Sequence, residues 1–166
     1  NLVGANNNPD AVMVDRCERL FDILGIPDPQ AHVDALIDWI DTDDDPRPAG
    51  AEAGYYAAQP GNIQCKNAPL DTLDELKMIA GFSTEDVEAL LPHVSVHGSG
   101  KIHLNSATPE VLFALAEEMD PDTAALIAEQ SRKQPYRSLE ELQLLPRWED
   151  FYWAINTKLK VKADIY

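Results

Sequence analysis

Apolar residues recur at helical spacing in blocks punctuated by proline and glycine, and that spacing predicts a mainly helical chain. Asn8-Pro9-Asp10 reads as an N-cap, a proline at the first helical position and an acid in the first turn; Met13, Cys17, Leu20, Phe21 and Leu24 then mark one face as far as Gly25. Asp28-Pro29 opens a second helix with Val33, Leu36, Ile37 and Ile40 inward. From Asp41 to about Pro69 the periodicity stops and Pro, Gly, Ala and Asn abound. An irregular stretch that long in a compact domain is either tied down or functional. Helical signals return in repeated form. Thr72-x-x-Glu75 is a capping box ahead of Leu73, Leu76 and Ile79, and Ser83 starts a helix with Val87, Leu90 and Leu91 that Pro92 stops. Val94-Ser95-Val96 and Ile102-His103-Leu104 flank His97-Gly98-Ser99-Gly100-Lys101 as a short β-hairpin. Thr108-Pro109, Asp120-Pro121 and Ser138-x-x-Glu141 open three further helices. Residues Thr157 to Tyr166 alternate polar and apolar and predict a strand with no evident partner in the chain, as expected of a piece of a larger sheet.

Composition changes this picture in one respect. The 166 residues carry 13 Lys+Arg against 29 Asp+Glu, a formal charge of −16, while 45% hydrophobic residues are enough for a core. Such a surplus repels nucleic acid and anionic membrane surfaces. No apolar run approaches a membrane span, and Asn1-Leu2-Val3-Gly4 has neither a basic nor an apolar leader region. The acids are clustered: eight lie between Asp28 and Glu52 against the single base Arg47.

Within that cluster, Asp38 is followed by Asp41, Asp43 and Asp45 at positions 1, 3 and 5 of a loop whose position 12 is Glu52, the oxygen-ligand spacing of a calcium loop. Pro46 stands where an EF-hand needs glycine, so a standard EF-hand is excluded. Aspartates at a helix C-terminus face its partial negative charge, and an irregular carboxylate loop suits calcium better than magnesium or zinc. Spacing alone leaves two readings open, a calcium site and a solvated acidic loop. Cys17 and Cys65 likewise read either as two buried thiols or, in an oxidising compartment, as a crosslink worth on the order of 4 kcal/mol. His93, His97 and His103 fit no ligand spacing, and no nucleophile, P-loop or zinc motif is present. No catalytic centre is expected. Leu104-Asn105-Ser106-Ala107-Thr108-Pro109 is similar to the opening of helix-hairpin-helix modules that grip DNA, but the hairpin positions Ala80-Gly81-Phe82-Ser83 and Glu118-Met119-Asp120-Pro121 hold one glycine in total and have acids alongside. A helix-hairpin-helix DNA-binding module is the alternative reading.

In order along the chain, Asp38-Trp39-Ile40-Asp41-x-Asp43, Gly50-Ala51-Glu52, Tyr55-Tyr56, Asn67-Ala68-Pro69, Leu73-Asp74-Glu75-Leu76 and Leu104-Asn105-Ser106-Ala107-Thr108 resemble the K-type minor pseudopilins of type II secretion (general secretion pathway protein K). The resemblance implies a large α-helical domain with helix-hairpin-helix-like (SAM-like) repeats inserted into a pilin-like α+β body. Residues 1–8 would be the end of a body strand, 9–153 the inserted domain (9–69 helices plus acidic loop, 70–153 hairpin repeats) and 154–166 the return strand. It further implies a non-enzymatic protein capping the pseudopilus tip with the I- and J-type minor pseudopilins, above the major pseudopilin and in reach of secreted exoproteins. That protein is periplasmic, anchored in the inner membrane by a helix preceding this segment, and does not bind nucleic acid. Calcium in the helical domain is implied at the matching acids Asp38, Asp41, Asp43, Asp45 and Glu52. The periplasm favours the Cys17–Cys65 disulfide.

Overall fold

A computed structural model describes residues 2–4, 6–61, 63–97 and 100–161. The predicted turn at Gly98-Ser99 and the strand beyond Val161 lie outside the described residues. The chain divides into two compact units, Asn1–Val96 and His97–Tyr166. The expected break at 69/70 falls inside the first of these, because Leu76, Ile79, Val87 and Leu90 belong to its core.

In the first unit, α1 (Ala11–Ile23) starts two residues later than its proline suggests. Asp10 is the cap, accepting from Val12 N at 3.0 Å and Met13 N at 3.3 Å, while Pro9 bridges back to Val3. Gly25, at φ 74°, ends α1; its N–H reaches Asp22 O and that of Ile26 reaches Phe21 O, a closure that needs a left-handed residue between. The second helix, α2 (Pro29–Ile40), is buried on most of its circumference, polar His32, Asp34 and Asp38 included. His32 links it to the following hairpin, with Nδ1 3.2 Å from Asp28 O and Nε2 3.1 Å from Gly81 O. The unpatterned stretch holds one helix that periodicity does not announce, α3 (Ala53–Ala57), whose Tyr56 packs edge-on against Trp39 and accepts a hydrogen bond from Ala80 N. Lys66 fastens the same stretch, donating to Asp71 and Glu75 at 2.7 Å each. The expected helix after Thr72 is a 3₁₀ turn, Leu73–Met78, and α4 (Thr84–Leu90) starts after Ser83 as its sequence predicts, with Ser83 and Asp86 forming a capping box.

The second unit pairs β1 (Ile102–His103) in parallel with β2 (Leu159–Lys160). Both strand expectations change: Ile102–His103 does not form a hairpin with Val94–Val96, and the terminal strand has its partner within the chain. The helices α5 (Pro109–Ala114) and α6 (Pro121–Lys133) are capped by Thr108 and Asp120 as expected, a 3₁₀ turn spans Leu139–Leu144, and α7 (Trp148–Ile155) follows. Asn105 exchanges two hydrogen bonds with the backbone of Tyr136, at 2.9 and 2.8 Å, tying the segment before α5 to the loop after α6. Leu112, Ile127, Leu142, Ile155 and Leu159 fill the core, while Leu144 and Trp153 stay exposed at 84% and 67%. Among the described residues no helix is long and apolar enough to cross a membrane.

Candidate metal centre

Asp38 and Asp41 lie one turn apart at the end of α2, and Glu52 precedes α3. The loop between them folds back so that one carboxylate oxygen of each lies within 4.8 Å of the others. All three residues are buried, at 0%, 6% and 5% exposure. Each has a different state of satisfaction. Asp38 accepts from Arg47 N with both oxygens, at 3.3 and 3.1 Å, and Gly50 lies against it so closely that an added Cβ would be 2.0 Å from Asp38 Oδ2. Asp41 Oδ1 and both oxygens of Glu52 are buried with no hydrogen-bond partner. Buried polar atoms left this way are rare, because each forfeits its hydration without replacement.

The electrostatics agree. Burial, then the charge of Asp38, pushes the Glu52 carboxyl up to about 7; burial, then Asp43 and Asp38, pushes Asp41 up to about 6. Burial also raises Asp38. Two ionised carboxylates about 5 Å apart repel by roughly 3 kcal/mol at an effective dielectric of about 20. The single base of the acidic run does not neutralise the group: Arg47 turns its Nε to Asp34 at 2.7 Å, gives Asp38 its backbone N–H, and its charge lowers Asp38 and Asp41 without reversing their rise.

An all-oxygen set with three orphaned carboxylate oxygens fits a hard divalent cation, which favours carboxylates and tolerates irregular geometry. Asp41 Oδ1 and the Glu52 oxygens are the atoms that would hold it, with Asp38 beside them. The other two expected ligands stand apart from this group. Asp43 is exposed and receives Asn7 Nδ2 at 2.8 Å on Oδ2 and Asp45 N at 3.0 Å on Oδ1; Asp45 is exposed as well. Both were expected as ligands from their places at positions 3 and 5 of the calcium-loop spacing and from the family resemblance. The residues that sequence reasoning missed are Gly50, Asp34 and the asparagines at 7 and 67. The only signal for the Asp34 pair was Arg47 standing alone among acids.

The expected Cys17–Cys65 crosslink is not formed: both are free thiols, raised by burial to about 11. Cys65 donates to the Asp38 carbonyl at 3.5 Å, and its thiol is near enough to Glu52 to lower that carboxyl against the effect of burial.

The family described as type II secretion system (T2SS), protein K matches residues 1–99 and, through a second description of the same protein, residues 102–162. The chain belongs to the type II secretion system protein K family. The two matched ranges correspond to the two compact units. Type II secretion system protein K of Pectobacterium carotovorum subsp. carotovorum is 31% identical over 121 residues, 68% of this chain and 37% of that protein. The Klebsiella pneumoniae protein K is 34% identical over 94 residues, and that of Dickeya chrysanthemi 30% over 141. The chain thus spans 26% to 38% of the length of these three protein K relatives. A chain in the crystal structure of the GspK-GspI-GspJ complex from the enterotoxigenic Escherichia coli Type 2 Secretion System shares the fold, with a TM-score of 0.72 at 18% identity over 94% of this chain and 59% of that one.

Proposed function

We propose that this chain is the helical part of a K-type minor pseudopilin, a non-enzymatic component of type II secretion that assembles with I- and J-type minor pseudopilins at the pseudopilus tip. The observation that carries the reading is the family match through both compact units, joined by a fold shared with a chain of the GspK-GspI-GspJ complex. In this role the helical bulk caps the fibre above the major pseudopilin, helps start assembly, limits length and supports passage of exoproteins. Its body, into which these residues are inserted, is held in the inner membrane by a preceding helix and exposes this part to the periplasm. Asp38, Asp41 and Glu52 bind calcium, which relieves their mutual repulsion and closes the loop of residues 41–52 against α2.

Co-purification tests the assembly directly: with its pilin-like body restored, the protein retains I- and J-type minor pseudopilins from the same organism, and failure to retain either overturns the reading. For the metal, calcium raises the thermal midpoint and EDTA lowers it, since a ligand of the folded form stabilises by mass action. A midpoint unchanged by EDTA removes the metal claim and leaves the assembly claim standing.

A further inference from the structure

Two asparagines from distant segments converge on the loop that follows Asp41. Asn7 and Asn67 are both in the left-handed backbone region, at φ 61° and 47°, a conformation asparagine tolerates better than most residues. Asn7 Oδ1 accepts from Thr42 N at 2.8 Å, and its Nδ2 donates to Asp43 Oδ2 at 2.8 Å. From the other side Asn67 Nδ2 donates to Asp43 O at 3.0 Å and to Asp44 Oδ1 at 3.3 Å. Thr42 directly follows Asp41, whose buried Oδ1 has no partner, as the buried oxygens of Glu52 have none. Asn7 in turn belongs to a segment folded on itself by the Val3–Pro9 bridge and the Asp10 N to Leu2 O hydrogen bond, which leads directly into α1.

We propose that Asn7 and Asn67 form a clasp that positions Asp41 for the cation and couples cation binding to the order of the N-terminal segment 2–10. The inference rests on the metal reading above and adds positioning residues to it. Coupling of this kind is reciprocal: whatever steadies the segment tightens the ion, and the ion steadies the segment by the same factor.

Calorimetric titration of the chain with calcium chloride, paired with hydrogen exchange of residues 2–10 in calcium and in EDTA, tests it on the parent, Asn7→Ala, Asn67→Ala and Asn7→Gly. Each alanine variant is expected to bind calcium about tenfold more weakly, the loss of one or two hydrogen bonds to charged or backbone groups, with exchange in α1 and α2 unchanged. Calcium is expected to slow exchange of residues 2–10 in the parent and much less in Asn7→Ala. Asn7→Gly keeps the left-handed backbone at no cost and is expected to behave as Asn7→Ala. Alanine variants that bind at parental affinity with parental exchange overturn the clasp alone, as does a glycine variant indistinguishable from the parent. A parent that binds no calcium overturns the metal reading and the clasp with it.

Discussion

Gly50 decides where Asp38 can be. Its backbone is not left-handed, so alanine is barred there by the Asp38 carboxylate, whose Oδ2 and Cγ lie 2.0 and 2.7 Å from where a Cβ would stand. Asp38 would have to leave the hydrogen bonds of Arg47 N, and Gly50→Ala is expected to destabilise the protein by about 2–4 kcal/mol, as changes that disrupt a buried polar network do. In the Asp38→Ala background the clash is gone, so Gly50→Ala there should cost far less. Chemical denaturation of the four proteins measures the difference, and additive costs would show that the two residues do not constrain each other. The same residues show what is legible at this scale. Asp38, Asp41 and Glu52 were legible as candidates because they stand in an acid-rich run at the end of α2 and before α3, while the same run also fitted a solvated loop. Asp43 and Asp45 could not be separated from them, since that depends on the turn closed by Gly50 N on Arg47 O and on an asparagine 36 positions away from Asp43.

At the scale of elements, the raised carboxylates give the α2 end and its loop a pH dependence of defined sign. Asp41 and Glu52 hold their protons more tightly folded than unfolded, so without metal they favour the folded state most at acidic pH. That advantage is lost as pH rises through their folded values of about 6 and about 7. In EDTA the denaturation free energy should therefore fall between pH 5 and pH 8. Calcium needs the ionised carboxylates, so its stabilising effect should be small at pH 5 and large at pH 8. Asp41→Asn combined with Glu52→Gln should flatten both trends; a double variant with the parental pH profile would assign them to other groups. Helices whose starts carry a cap and a proline were readable in advance, as at Thr108-Pro109 and Asp120-Pro121. The 3₁₀ turns at Leu73–Met78 and Leu139–Leu144 were not, because caps and apolar spacing are the same for one tight turn as for an α-helix. Nor was α3, five residues long and held by Tyr56 against Trp39 rather than by any periodicity of its own.

For the whole molecule the −16 charge sets the long-range behaviour. The helix-hairpin-helix-like opening at Leu104 is carried by a chain whose field opposes polyanions, and duplex DNA should give no mobility shift even at low ionic strength, where such binding is strongest. A salt-sensitive shift would contradict this. Two separate cores, one per compact unit, were not foreseen by a reading that divided the helical part at 69/70, where helical periodicity returns. The division follows from which apolar faces meet, which no single segment reveals. The parallel pairing of Ile102–His103 with Leu159–Lys160 carries a consequence for the order of events during synthesis. A chain emerging N-terminus first can form α5 and α6 from local contacts, but Ile102 and His103 lack their parallel partners until Leu159 and Lys160 arrive. The second unit is therefore completed from its far end, and until then the open edge of β1 stays accessible to proteases and to wrong partners.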